Sequence, residues 1–161
     1  MGLWIGAATQ GLAFAFLAWA ALLSLRVLRF ADISVDGTFT TGAAVAAVLL
    51  AKGSSPLLAC SAAIVAGLAG GAITGLIHTK LGINDLLSGI LVMTALYTVN
   101  LRVMGKSNMP LLDTRSITEY GQRLGDTWGP FATFLVLIVL GRFALGAFLE
   151  TYYGLTLRAT G

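Results

Sequence analysis

Five long apolar runs, separated by stretches that hold nearly all the charge, limit what this chain can fold into more than any other feature. From Met1 to Leu25 there is no charged residue. At about 1.5 Å rise per residue, such a helix is long enough for a hydrocarbon slab of about 30 Å. A secretory signal is the competing reading, since Ala18-Trp19-Ala20 resembles a small-x-small cleavage site. Those signals carry positive charge before the apolar core, whereas Arg26 and Arg29 follow it. The order predicts an uncleaved first span with its N-terminus outside and Arg26 and Arg29 in the cytoplasm.

The second run, Gly37 to Ala51, would reach only about 22 Å as a helix, which predicts a short or broken span unless residues 31–36 also enter the membrane. Ser54-Ser55-Pro56 supplies a cap with Pro at the first helical position, and Leu57 to Ile77 follows uncharged as the third span. Asn84 and Asp85 cap a fourth helix to about Leu101, whose interior Ser88, Gly89, Thr94, Tyr97, Thr98 and Asn100 make it too polar to face lipid all round. A mixed loop from Met104 to Asp126 is long enough to hold a short surface helix. Trp128 marks an interface, and the fifth run extends to Leu149, broken only by Arg142, whose stem can carry its charge toward the headgroups. This predicts an all-α polytopic membrane protein with residues 26–36, 78–85 and 150–161 inside, and 51–55 and 102–127 outside. Lys52, Arg102, Lys106, Arg115 and Arg123 would then lie outside, so the orientation rests on the first flank.

Composition agrees: 57% of residues are hydrophobic and 11% charged, with a mean hydropathy of +0.88, where soluble domains carry about a quarter charged residues. The net charge of +3 is spread between the runs and not clustered as a nucleic-acid footprint would be. One Cys excludes a disulfide scaffold and any Cys-ligated metal site. Cys60, inside the third span, has no thiolate-stabilising neighbour in sequence and is expected to be a small core residue. His78 is the single His and sits beside Lys80 at a helix end, so no Ser–His or Cys–His relay is expected. Asp32 and Asp36 precede Gly37 as in metal-binding lipid phosphotransferases, but no further carboxylate follows before Asp85 to complete an oxygen-rich site. Neither catalysis, a metal nor a cofactor is expected.

Two segments stand out. In the third span Gly67, Gly71 and Gly75 recur every four residues, with Ala63 on the same stripe, a pattern that lets another helix backbone approach closely. The second is Asp32 to Gly42, where two carboxylates, Gly and four hydroxyls adjoin a helix too short to span. Discontinuous helices in transporters place polar caps beside the substrate path, because unpaired backbone is tolerated only next to protein or water. On that reading Asp36 caps, and Thr38, Thr40 and Thr41 line a cavity. The same residues also fit a plain cytoplasmic loop with an Asp cap and Thr hydroxyls bonded to preceding-turn carbonyls. After Glu150 the chain leaves the membrane in a polar/apolar mixture with no closing element. Five spans with polar faces cannot enclose a pathway symmetrically, so copies assemble or a second half completes the unit.

Phe30 to Phe39 with Thr41-Gly42-Ala43-Ala44-Val45-Ala46-Ala47 resembles the N-terminal signature of bacterial ABC-transporter permeases of the branched-chain amino acid/ribose permease superfamily. The tryptophan/tyrosine-type or uncharacterised amino-acid importers are the closest branch. His78 to Leu91, continuing into Met93-Thr94-Ala95-Leu96-Tyr97 and Asn100-Leu101-Arg102, looks like that branch's second signature. Gly154-Leu155 and Leu157 to Gly161 are similar to the start of its cytoplasmic coupling loop, with Thr156 where a small apolar residue is more usual. Family permeases are nearly twice this length, so the resemblance implies that residues 1–161 are the N-terminal part of a membrane-embedded permease domain, ending within that loop.

The combined expectation is the membrane subunit of an ATP-driven importer for a small solute, an amino acid or related compound. Asp36, Thr38, Thr41, Thr94 and Asn100 are the expected pathway or hinge residues, and Arg158 the expected coupling contact. No Gly-x-x-x-x-Gly-Lys-Ser/Thr loop occurs, so a separate ATP-binding subunit must dock near residues 154–161. The resemblance implies two further partners, a second permease copy as a homodimer and an extracytoplasmic solute-binding protein. The alternative is a small oligomeric channel or holin-like protein assembled through the Gly67/Gly71/Gly75 stripe.

Overall fold

The computed structural model describes residues 2–27, 32–111 and 128–160. Its described regular structure is helical: α1 (Gly2–Arg26), α2 (Ser34–Ala51), α3 (Pro56–Leu81), α4 (Asp85–Met104), α5 (Trp128–Glu150) and α6 (Tyr152–Thr160). The first five are long and apolar enough to cross a membrane. The surface helix expected between Met104 and Asp126 falls largely outside the described residues, as does Arg29.

Local chemistry sets the boundaries. Ser55 caps α3 by accepting from the Leu58 amide at 3.4 Å, and Pro56 takes the first helical position, where its missing N–H costs nothing. Gly82, in the left-handed region at φ 65°, ends that helix. His78 in its last turn donates from Nδ1 to the Ile83 carbonyl at 2.8 Å and holds the short link to α4. Asn84 then caps α4 through the Leu86 amide at 3.0 Å.

The second span is short, at 18 residues and about 27 Å, but it is not broken. Asp32, not Asp36, meets the free amides at its start, accepting from the Ser34 N–H at 2.8 Å. Asp36 lies in the first turn, where a carboxylate complements the helix dipole. Thr38 donates to the Val35 carbonyl at 3.0 Å, Thr40 to Gly37 at 2.9 Å and Thr41 to Gly37 at 2.8 Å. A hydroxyl-rich stretch therefore forms regular helix, because each hydroxyl finds an acceptor a turn back. The interrupted backbone expected over Asp32 to Gly42 is replaced by continuous helix from Ser34, with Asp32 accepting from the first helical amide just outside it.

The chain divides into two compact units, Met1–Phe30 with Ile117–Gly161, and Ala31–Ser116. In the first, α1 packs on α5 where Phe16 and Trp19, edge to face at 5.9 Å, cover Gly141. In the residues after Glu150, expected to leave the membrane toward the start of a cytoplasmic coupling loop, the structure forms the nine-residue helix α6. Gly154 permits the tight reversal into it: a Cβ there would fall on the Phe148 carbonyl oxygen and the Leu149 Cα.

In the second unit α2 is central, antiparallel to α3 and parallel to α4. Its contacts are made by small residues. A Cβ on Gly37 would stand 3.0 Å from the Met93 Cα, and one on Gly42 would stand 3.2 Å from the Ala63 carbonyl oxygen. The largest fully buried side chains are Thr74, Ser34 and Ser88, and Thr74 donates to the Ser34 hydroxyl at 2.8 Å across the α2–α3 interface. Close approach on α3 runs through Ala59, Gly70 and Thr74. Gly67 touches the edge of this interface, where a Cβ would stand 3.7 Å from the Thr38 carbonyl oxygen. Gly71 and Gly75 are exposed, and a Cβ on either would meet nothing within 4 Å. Within this chain the packing stripe is thus offset from the one expected.

Gly37→Val should destabilise the unit by about 1–3 kcal/mol, because the opposing atom is backbone and cannot swing aside. Detergent-titration unfolding would measure it, and an unchanged midpoint would refute the close contact. Ser34→Ala and Thr74→Val should each cost about 1 kcal/mol, with a double variant clearly less destabilised than the two added together. Simple additivity would mean that the bond contributes nothing.

Candidate functional site

A cleft of about 810 Å³ runs along α2 and α4 in the second unit. It extends from Asp36 to Ala47 on α2, about 17 Å, and from Ile90 to Met104 on α4, about 21 Å, and ends against residues 107–111. Its length therefore follows the membrane-crossing direction of both helices. The periodicity of each helix puts the lining on one side: Asp36, Thr40, Ala44 and Ala47 recur at three- and four-residue spacing, as do Ile90, Thr94, Tyr97, Leu101 and Met104.

Most of the wall is aliphatic, with polar groups set at intervals. Asp36 stands at the α2 N-terminal end; Thr40, Thr94, Tyr97 and Asn100 follow, and Ser107 and Asn108 lie at the far end. Thr94 donates to the Ile90 carbonyl of its own helix. Asn100 donates from Nδ2 to the Thr40 hydroxyl oxygen at 3.3 Å, joining the two helices within the wall. Its Oδ1 is buried with no hydrogen-bond partner. Among the described residues no group of three or more His, Cys, Asp or Glu side chains could hold a metal ion.

Of the five expected pathway residues, Asp36, Thr94 and Asn100 are in this wall. Thr38 and Thr41 are elsewhere. Thr38 packs its methyl against Gly70 of α3, and Thr41 is buried with its hydroxyl on the Gly37 carbonyl. The reason is angular: on a helix Thr40 shares a face with Asp36, and Thr38 and Thr41 do not. Thr40, expected with Thr38 and Thr41 to line a cavity, is in the wall; Tyr97 is a wall residue outside the expected pathway set, and its three-residue spacing from Thr94 is the signal for it. The backbone of Arg158 lies in α6, and its side chain is outside what the structure describes.

A multi-pass membrane protein with a polar-stepped cleft along two of its spans is the architecture expected of a solute permease. Residues 3–161 match the family described as branched-chain amino acid transport system / permease component, and the chain belongs to that family. It is 38% identical over 157 residues to a tyrosine transport system permease protein of Clostridioides difficile (strain R20291), covering 98% of this chain and 51% of that protein. It is also 33% identical over 159 residues to the uncharacterised protein RP368 of Rickettsia prowazekii (strain Madrid E), covering 94% of this chain and 55% of that one. The chain spans about half the length of these curated relatives. No solved structure matches it. Family and apolar helices together make it a multi-pass protein of the bacterial inner membrane.

If the cleft holds water in the membrane, cysteines placed in its wall should react with a membrane-impermeant thiol reagent. In a Cys60→Ala background, Thr94→Cys and Tyr97→Cys should be labelled, and Thr41→Cys and Thr74→Cys, both buried, should be protected. Equal labelling at all four sites would remove the cleft as a distinct compartment.

Proposed function

We propose that this chain supplies the N-terminal membrane part of a permease in an ATP-driven importer, and that residues 1–161 act there as one membrane-embedded domain. The observation that carries the reading is the α2–α4 cleft, which follows two membrane-crossing helices and steps from a carboxylate through hydroxyls to an amide. Such spacing offers a small polar solute successive partners along the cleft. The solute is an amino acid or related compound, and the tyrosine permease relative favours one with an aromatic side chain. Asp36, Thr94 and Asn100 form the path; Thr38 and Thr41 are proposed as hinge positions where α2 can shift against α3. Family membership favours this reading over a small oligomeric channel.

Nothing in the sequence holds ATP phosphates, so the driving force comes from a separate ATP-binding subunit. With the N-terminus outside, α6 lies on the cytoplasmic side, where Arg158 would meet that subunit. An extracytoplasmic solute-binding protein would deliver the solute, and a second permease copy would complete the complex, with Gly67, Gly71 and Gly75 as the small-residue face for a further helix.

Co-purification of the intact gene product with an ATP-binding subunit, and stimulation of its ATP hydrolysis by an amino acid in liposomes, tests this reading. Assembly with no stimulation by any solute would remove it. Gly154→Val should leave insertion intact and reduce stimulated hydrolysis about 10-fold or more, since a clash of about 1–3 kcal/mol at the α5–α6 reversal displaces α6. Unimpaired stimulation in that variant would dissociate α6 from coupling.

A further inference from the structure

We infer that the α2–α4 cleft recognises its solute by an ammonium group, with Asp36 as counter-ion and the Asn100 Oδ1 as an acceptor uncovered on binding. The inference rests on the permease reading and adds to it the polarity of the ligand.

Charge is the first observation. Asp36 is exposed in the wall, and it is the one formally charged residue among the described residues that line the cleft. The rest of that lining is aliphatic, aromatic or neutral polar. Low-dielectric walls focus the field of a single fixed charge into the cleft they enclose. A solute bearing only a carboxylate would meet like charge there, with no lysine or arginine among the described wall residues to offset it. An ammonium group would meet its opposite.

The second observation is independent of the first. Asn100 is 6% exposed, and its Oδ1 is buried with no partner. The oxygen and nitrogen of this amide are distinguished by Thr40. That hydroxyl has one proton, which it donates to the Asp36 and Gly37 carbonyls at 3.0 and 2.9 Å. Toward Asn100 it can therefore only accept, so the nitrogen faces it and the oxygen is left over. A desolvated carbonyl oxygen with no donor is unfavourable and marks a place where a donor is missing. Asn100 is itself one of the residues that line the cleft, so the missing donor belongs on that side of α4. Ammonium, with three N–H donors and no acceptor, suits both the Asp36 carboxylate and the left-over Asn100 carbonyl oxygen, neither of which can donate.

The test uses the full chain in lipid nanodiscs, with ligand binding read from the shift of its unfolding midpoint. The probes are L-tyrosine, tyramine, which lacks the carboxylate, and 3-(4-hydroxyphenyl)propionate, which lacks the ammonium. L-Tyrosine and tyramine should raise the midpoint and the propionate should not. Asp36→Asn, an isosteric change at an exposed position, should weaken tyramine about 10-fold, the size of one lost charge-assisted hydrogen bond. Asn100→Leu should weaken it by a similar factor. Equal shifts with tyramine and the propionate would overturn the ammonium assignment while leaving the permease reading intact. Absence of any shift would also overturn it, and the permease reading would then stand or fall on assembly with the ATP-binding subunit. Tyramine binding unchanged in Asp36→Asn would overturn the role of that carboxylate even if Asn100→Leu failed to fold.

Discussion

The α2, α3 and α4 bundle depends on how closely its backbones can approach. Lipid tails are as apolar as leucine, so burying an aliphatic side chain between two spans releases little free energy. What remains is dispersion at short range and hydrogen bonding between helices. Both are available here because Gly37, Gly42, Gly70 and Gly89 remove side chains at the crossing points, and because Ser34 and Thr74 meet between α2 and α3. The largest fully buried side chains are correspondingly small and polar, while many leucines, isoleucines and phenylalanines are exposed. This inverts the arrangement of a water-soluble domain.

The cleft follows from that packing. Where Gly37 brings α2 against Met93, the two helices are in backbone contact; beyond this level the facing residues Thr40, Ala44 and Ala47 are too small to fill the space beside α4. The site is thus a consequence of small residues continuing along α2 past the point where the helices touch. Asn100 spans the gap with one hydrogen bond and leaves an acceptor over, which couples the width of the cleft to the satisfaction of a polar group.

Sequence and structure part company most clearly at Asp32 to Gly42. Carboxylates, hydroxyls and glycine in one stretch read as loop or broken helix, since these residues compete with helical backbone in water. Along α2 the competition ends differently: each Thr hydroxyl reaches a carbonyl a turn back, so the side chains bond to the helix and do not break it. The caps at Ser55 and Asn84 were legible because capping is a local bond between neighbours in sequence. Gly70 was passed over for Gly67, Gly71 and Gly75 because a regular four-residue interval stands out in a string of letters. The actual interface runs through Gly70 and Thr74, off that register.

The amino-acid sequence alone determined the number of membrane-crossing helices, most of their ends and the all-α membrane architecture, since these depend on run length, charge and neighbouring residues. Tertiary structure decided which face of each helix meets which partner, and with it the division between Thr40 in the cleft and Thr38 and Thr41 in the interface. The reason is that α2 carries hydroxyls on several faces at once, at Thr38, Thr40 and Thr41, so its polar residues do not mark one inner side. Only the mutual fit of small residues on separate helices selects one rotation from the others.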